Sequence, residues 1–248
     1  MVGKTVALDE LRERIRALEG HVFLPPFEKG GPGGILPQNA GLHEYIALQS
    51  ENAALGWMVA TLKKLGTPQK PIVWISQRPS LYPPGLSDFG LPPEQILFIQ
   101  VANPKEALWV AEKTLEELPA LVVGENLKLN LTTARRLQLA CGKLQNMLFL
   151  LHTEKIPAPC HIAMTRWHIS TRLSSDAPGL FSQHGVGQMR FRIELVRCRG
   201  AMAPAAWDVE WNDKEMDFNL VDESQRRRRQ FEHLVPEGQE IRPAYRFG

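Results

Sequence analysis

The chain has 248 residues, of which 44% are apolar and 23% charged, the composition of a soluble globular protein with a full hydrophobic core. Twenty-nine basic and twenty-seven acidic side chains give a net charge of +2, which excludes a generally basic nucleic-acid coat but not a local basic patch. No apolar run reaches the roughly 18 residues that a membrane-spanning helix requires, and the N-terminal apolar residues are interleaved with charges, unlike a signal peptide. We therefore expect a cytoplasmic protein without membrane contact, whose three cysteines stay reduced: Cys141, Cys160 and Cys198.

The first predicted element is an amphipathic helix over residues 7–19. Gly20 suits the left-handed position that ends a helix, and a Gly/Pro-rich connector follows up to residue 37. The connector sets the helix apart from the rest of the chain. The apolar face of the helix therefore either packs back on its own chain or docks on a partner. This face consists of Leu8, Leu11, Ile15 and Leu18.

Residues 42–152 alternate between strand-like and helical segments. The strand-like runs are short and mostly continuously apolar, as in a parallel sheet that is covered on both faces. Asn103-Pro104 forms an N-cap with proline at the first helical position. The alternation predicts right-handed βαβ crossovers, with strands at 43–48, 72–77, 96–101, 120–124 and 147–152 and helices near 52–65, 104–118 and 130–144.

The first strand, turn and helix, residues 41–56, occupy the place where a RecA-like ATPase carries its phosphate loop. Such a loop needs G-x-x-x-x-G-K-[ST], because glycines let backbone N–H groups approach the phosphates while Lys and Ser/Thr hold charge and Mg²⁺. Ser50 and Asn52 can instead cap the following helix. We predict a scaffold rather than a nucleotide site, because the key positions are apolar: Leu48, Ala53, Ala54 and Leu55.

Few other residues point to chemistry. Glu125 ends a predicted central strand, where a RecA-like ATPase places an acid that orients Mg²⁺ and water, but it has no partner lysine. His161 and His168 are seven residues apart, unlike a zinc-binding pair, and neither a nucleophile elbow nor an HExxH motif is present. We predict no catalytic residue, no cofactor and no metal site. The alternative is a DNA-binding or RecA-modulating protein with residual nucleotide binding.

After residue 160 the pattern changes to antiparallel strands. Apolar and charged residues alternate over 189–195, and the phase flips at Val196, which indicates a bulge. Two further alternating runs flank a turn at residues 212–215, which predicts a hairpin. Cross-strand ion pairs are expected if Asp208 and Glu210 lie opposite Arg190 and Arg192.

The only basic concentration lies in the C-terminal part of the chain. Aromatic residues interleave with the arginines of the predicted hairpin, as on a single-strand-binding surface. The polar tail adds a second candidate for nucleic-acid contact, for which the alternative is a solvated charge run. Its four consecutive arginines are Arg226, Arg227, Arg228 and Arg229.

Several blocks spread over residues 8–221 together resemble the ImuA family. They are LRERIRALE at 11–19, GLHE at 41–44, LYPPGL at 81–86, EALW at 106–109, ARRLQLA at 134–140, TRW at 165–167, and ELVRCRG at 194–200 followed by VEW at 209–211. The ordered set is fairly specific, although no single block is. The connector at 25–37 and the tail at 226–248 depart from the family pattern.

The resemblance implies a RecA-like, non-enzymatic accessory protein of a bacterial damage-inducible mutasome, acting in error-prone translesion synthesis during SOS mutagenesis. It implies ImuB, a Y-family-like protein, as partner, and through ImuB an error-prone C-family polymerase and the sliding clamp, with RecA as a further candidate. It also implies association with the nucleoid during repair. It supplies no catalytic residues. We expect the partner to bind helix 7–19 or three hairpin residues, Arg197, Arg199 and Trp207.

The predicted fold is α/β: a RecA-like, mostly parallel sheet flanked by helices, with a C-terminal antiparallel β extension and a separate N-terminal helix. We divide the chain into an N-terminal helix and connector (1–37), a RecA-like core without a Walker A loop (38–160), an antiparallel extension (161–221) and an Arg-rich tail (222–248).

Overall fold

The computed structural model describes residues 35–37, 39–174, 188–199 and 204–221. The predicted N-terminal helix at 7–19 and the tail at 222–248 lie outside the described residues. The predictions made for eight residues therefore receive no structural account: Leu8, Leu11, Ile15, Leu18, Arg226, Arg227, Arg228 and Arg229.

Strands and helices alternate through the described chain as far as the fifth strand. The strands are β1 (Gly41–Ala47), β2 (Ile72–Ser76), β3 (Ile96–Gln100), β4 (Leu121–Glu125), β5 (Met147–His152), β6 (Thr165–Arg172), β7 (Arg190–Cys198), β8 (Ala205–Asn212) and β9 (Asp217–Leu220). The α-helices are α1 (Glu51–Leu65), α2 (Pro104–Glu117) and α3 (Leu131–Lys143), and 3₁₀ helices occupy Pro83–Phe89 and Pro93–Gln95. None of the helices in these ranges is both long and apolar enough to cross a membrane.

All nine described strands form one sheet with the order β3-β2-β4-β5-β1-β6-β7-β8-β9. The pairs from β3 to β6 are parallel, and those from β6 to β9 are antiparallel. The predicted fold class, a mostly parallel α/β sheet with an antiparallel C-terminal extension, is confirmed. The extension is joined to the core through β6, which pairs in parallel with β1. The domain boundaries stay a prediction.

The helices cover both faces of the sheet. Helices α2 and α3 pack on one face, and α1 packs on the other against β1 and β6. Ten consecutive α1 residues, 53–62, are buried, because the helix also contacts the antiparallel strands. The Trp57 ring lies 5.6 Å from that of Phe218 in β9, and a Cβ added at Gly56 would lie 3.1 Å from the Phe191 ring in β7. Helix α1 is thus covered by the antiparallel strands β7 and β9 as well as by β1 and β6.

The predicted bulge in β7 is confirmed. Arg166 of β6 pairs with Arg197, but Trp167 pairs with Leu195, so Val196 is the extra residue. Val196 is exposed, whereas Leu195 and Cys198 are buried. The pairs Arg190–Glu210 and Arg192–Asp208 also form as predicted, with N–O distances of 3.2 and 3.4 Å.

The helix N-termini differ in how they are capped. Asn103 caps α2 by accepting a hydrogen bond from the Glu106 backbone N–H at 3.0 Å, and Asn130 caps α3 in the same way. Ser50 stands at the N-cap of α1 as predicted, but its side chain forms no capping hydrogen bond. Asn52 lies within α1. The prediction that the side chain of Ser50 or Asn52 caps this helix with a hydrogen bond is therefore wrong.

Candidate functional site

The turn between β1 and α1 is the position at which the sequence lacks a phosphate loop. The turn spans residues 48–50, and the Leu48 N–H donates to the Ile169 carbonyl of β6 at 3.0 Å. A backbone nest that binds phosphate alternates right- and left-handed residues. Among the described residues, positive φ angles occur at Gly41, Gly90, Asn126, Gln145 and Met216, all of them outside this turn. The backbone therefore forms no nest here.

Glu125 ends β4, as predicted, and is buried. Its Oε2 accepts a hydrogen bond from the Trp74 indole N–H at 2.9 Å, and its Oε1 accepts from the Ser80 backbone N–H at 3.1 Å and from the Ser80 hydroxyl. Both carboxylate oxygens are thus used to fasten the end of β4 to β2 and to the segment after β2. This arrangement gives Glu125 a structural role.

A cavity of about 530 Å³ lies near the carboxyl ends of β4 and β5. Its walls are residues 126–131, from the β4–α3 connection and the first residue of α3, and residues 154, 155 and 157–161, which belong to the connection between β5 and β6. Glu44, Leu150 and His152 line it from β1 and β5. We call this space the loop cavity. Open α/β sheets commonly bind ligands beyond the carboxyl ends of their strands.

The strands supply a polar group to the loop cavity. Glu44 is 2% exposed, and its carboxylate lies 3.0 Å from Nη1 of Arg166, which also donates from Nη2 to the Pro157 carbonyl at 2.9 Å. Burial raises the pKa of Glu44, and the Arg166 guanidinium opposes this shift. The buried carboxylate is therefore compensated by a buried cation.

His152 is the second polar group that lines the cavity. Its side chain is 6% exposed, and its Nε2 has no hydrogen-bond partner among the described residues. Burial lowers the pKa of His152 to about 4, with a smaller contribution in the same direction from Arg166. The imidazole is therefore neutral at pH 7 and keeps a hydrogen-bonding atom unused.

Similarity to known proteins agrees with the sequence blocks. No protein-family model matches the chain. Protein ImuA of Caulobacter vibrioides, in two strains, is 31% identical to the chain over 194 residues, covering 72% of this chain and 78% of that protein. The chain belongs to the ImuA family. Among solved structures, SulA from Pseudomonas aeruginosa is similar, with 21% identity and a TM-score of 0.38, over 44% of this chain and 97% of SulA.

One of the three hairpin residues predicted as partner contacts, Arg197, lies beside the loop cavity of this ImuA-family chain. Arg197 donates from its two Nη atoms to the Cys160 and His161 carbonyls at 2.7 and 2.6 Å. Arg199 is exposed, and its backbone N–H donates to the Met164 carbonyl. Trp207 is half-buried, 6.3 Å from the Trp167 ring. Their role in partner binding stays a prediction.

Sequence reasoning missed the loop cavity of this ImuA-family chain, because two connections distant in sequence form it. His161 was considered only as a metal ligand, and no group of three or more His, Cys, Asp or Glu side chains is placed to hold a metal within the described ranges. The sequence contained one indication of this site, namely the polar residue His152 at the end of β5. The rule that led to Glu125 at the end of β4 applies equally to His152.

Proposed function

We propose that this protein is a non-enzymatic, RecA-like adaptor in damage-induced, error-prone translesion synthesis. In this role it binds ImuB and, through ImuB, helps to recruit an error-prone C-family polymerase and the sliding clamp, in the cytoplasm and at the nucleoid during repair. The observation that carries the proposal is the 31% identity to Protein ImuA over 194 residues. RecA is a further candidate partner.

The geometry of the β1–α1 turn supports a role in binding rather than in nucleotide chemistry. The turn has no left-handed residue for a nest, and the sequence places no lysine at the start of α1. Both carboxylate oxygens of Glu125 accept hydrogen bonds, one from Trp74 and the other from Ser80. Helix α1 is enclosed by strands from both halves of the sheet, so this region supports the fold.

The proposed docking surfaces are helix 7–19 and the hairpin residues Arg197, Arg199 and Trp207. Arg199 gives the cleaner test, because its side chain is exposed, whereas Arg197 holds two backbone carbonyls. Removing the chain after residue 186 would also remove β7–β9, which pack on α1. Point variants of the full chain are therefore preferable to that truncation.

A pull-down with purified ImuB tests the proposal. We expect the full chain to bind, and we expect removal of residues 1–19 or the substitution Arg199→Glu to weaken binding at least about tenfold, as for an interface hot spot. Arg135→Glu, on the exposed side of α3, is the matched control and leaves binding unchanged. Full-length protein without affinity for ImuB would overturn the proposal.

We also propose, as a second property, nucleic-acid contact by Arg226–Arg229. The hairpin is the weaker candidate, because two of its arginines are paired: Arg190 with Glu210, and Arg192 with Glu194 and Asp208. Binding of single-stranded DNA should weaken as salt rises, by nearly one power of concentration for each phosphate contact. Replacing the four tail arginines with serine should remove that dependence. Absent binding at low salt would refute nucleic-acid contact.

A further inference from the structure

We propose that the loop cavity is a binding site for a ligand with one carboxylate on an apolar body. Two sources share this chemistry: a free organic acid, and the C-terminal residue of another polypeptide chain. The cavity volume of about 530 Å³ lies within the range typical of small-molecule sites. The site adjoins one of the residues proposed above to contact ImuB, because Arg197 holds part of its wall.

The walls of the loop cavity are fixed by hydrogen bonds that cross between its two connections. Asn126, with φ 54°, donates from its side-chain amide to the Thr153 hydroxyl at 2.9 Å and accepts from the Thr153 backbone N–H at 2.9 Å. Arg166 holds the Pro157 carbonyl, and Arg197 holds those of Cys160 and His161. A cavity that is held open in this way loses little entropy when a ligand binds.

Most of the lining is apolar. The cavity is lined by Leu127 and Ala134, which are buried, and by Leu129 and Leu131 on the wall that leads to α3. Leu150 lines it from β5, and proline side chains line it from the opposite connection. A wholly polar ligand would leave this surface without matching contacts. The lining therefore favours a ligand with an apolar body of about the size of one or two amino-acid side chains.

The N-terminus of α3 favours an anionic group on the ligand. Asn130 and Leu131 line the cavity at the N-terminus of this 13-residue helix, where backbone N–H groups carry partial positive charge. Lys128 and Lys155 line the same cavity from its two connections. An anionic group placed between these lysines and the helix N-terminus would meet attractive charge from three directions.

The charge of the lining favours an anionic ligand. The two lysines are balanced by Glu44 and Glu154, which line the same cavity. Arg166 and Arg197, which hold the wall of the cavity, add positive charge that no lining carboxylate cancels. An anionic group on the ligand compensates part of that charge.

His152 is an independent observation that points to a ligand. A buried polar atom without a partner is unfavourable, and native proteins rarely retain one without a reason. Its unpartnered Nε2 is itself buried but belongs to a side chain that lines the cavity, so a turn of the ring toward the cavity lets a hydrogen-bonding group on the apolar body of the ligand satisfy it. An amide next to the carboxylate, as at the end of a polypeptide, is one such group.

The test uses the purified full chain and four probes. N-acetyl-L-phenylalanine represents a free acid, and a hexapeptide that ends in phenylalanine represents a chain terminus, while the C-terminal amides of both serve as uncharged controls. Binding is followed by NMR through the backbone signals of Asn126 and Leu131 and the imidazole signal of His152. We expect saturable shifts with a dissociation constant of about 1 mM for the small acid, a value usual for a fragment of this size.

The outcomes separate the two sources and the possible errors. Tighter binding of the hexapeptide than of the small acid identifies a chain terminus, and the reverse order identifies a free acid. Equal binding of acids and amides overturns the assignment of a carboxylate. Absence of saturable binding by all four probes up to about 20 mM overturns the site, since that concentration is well above the affinity expected for such fragments.

Two lysine variants locate the site without disturbing the fold, and a third variant fills the cavity. Lys128→Met and Lys155→Met change exposed side chains, and we expect each to weaken binding of the acids about threefold or more. Lys113→Met on α2, remote from the cavity, is the matched control. His152→Phe fills the cavity and should abolish the shifts. The measurement contains no ImuB, so a failed pull-down leaves its result unaffected.

Discussion

Arg166 and Glu44 form a buried ion pair between neighbouring parallel strands, with Nη1 of Arg166 3.0 Å from Oε2 of Glu44. Their side chains are 7% and 2% exposed. The pair lies in the rung at which β1 meets β6, so it joins the parallel core to the strand that begins the C-terminal extension. Arg166 also holds the Pro157 carbonyl of the β5–β6 connection. One side chain thus supports both the sheet and the wall of the loop cavity.

Removal of the cation alone should be strongly destabilising. Arg166→Met leaves Glu44 as an uncompensated buried carboxylate, and we expect the free energy of unfolding to fall by about 3–5 kcal/mol. The double variant Glu44→Gln with Arg166→Met removes both charges and should recover a large part of this loss. Urea unfolding of the two single variants, the double variant and the wild type gives the coupling energy. Equal stability of the wild type and Arg166→Met would contradict the prediction.

Acid should destabilise the fold through two buried histidines. Burial lowers the pKa of both His43 and His152 to about 4. His43 Nε2–H donates to the Asn39 carbonyl, and its Nδ1 lies 2.8 Å from the Thr165 hydroxyl, an arrangement suited to the neutral ring. The unfolded chain therefore binds more protons than the folded chain between pH 6.5 and 4. The free energy of unfolding should fall in that window by about 1.4 kcal/mol per pH unit for each histidine.

The variant His152→Gln separates this effect from other titrations. Glu44, with a raised pKa, acts in the opposite direction above pH 4.5, because there the folded state binds the extra proton. The difference between wild type and His152→Gln cancels that contribution. Urea unfolding from pH 7 to pH 5 should give a shallower loss of stability for the variant, by roughly half of the histidine contribution. If the free energy of unfolding changes equally with pH in the wild type and in His152→Gln, His152 does not titrate with a lowered pKa.

The contribution of each helix N-cap to stability should depend on whether its side chain forms a capping hydrogen bond in the structure. Asn103→Ala and Asn130→Ala each remove a bond to a backbone N–H, and we expect each to cost about 1 kcal/mol of stability. Ser50→Ala removes no such bond, so it should cost less than half of that amount. Thermal or urea unfolding of the three variants decides the order. A loss at Ser50 as large as the loss at Asn103 would contradict the structure.

The sequence predicted those parts of the fold that depend on nearby residues. The bounds of β5, at residues 147–152, and the cap at Asn103 follow from local hydrophobic runs and from side chains a few residues apart. The pairing of Arg190 with Glu210 also followed from pattern, because the alternation in β7 and β8 fixes which side chains face each other. Local periodicity was sufficient in each case.

The sequence did not predict parts that depend on distant contacts. β6 pairs with β1, whose residues precede it by 122 positions, and its Arg166 is buried because Glu44 lies opposite. No pattern within β6 signals this partner. The loop cavity likewise needs Arg197 of β7 to hold the connection that follows β5. Most of its residues lie in two connections of the chain and become a site only in three dimensions.

Glu125 distinguishes a structural acid from a remnant of nucleotide chemistry. Glu125→Ala leaves the Trp74 indole N–H and the Ser80 N–H without their acceptor, so we expect a loss of about 1–3 kcal/mol. Glu125→Gln retains an amide oxygen as an acceptor and should lose less. The indole N–H signal of Trp74 in NMR reports whether the bond survives.

The wild type and Glu125→Gln also decide whether nucleotide binding remains. If Glu125 is structural, titration of the wild type with a fluorescent ATP analogue and Mg²⁺ gives no saturable binding at millimolar concentration, and Glu125→Gln behaves in the same way. The opposite result, saturable binding by the wild type that Glu125→Gln loses while remaining folded, would mean that Glu125 orients Mg²⁺. In that case its hydrogen bonds to Trp74 and Ser80 would have to break when the nucleotide binds, and the change in the Trp74 indole signal would reveal it.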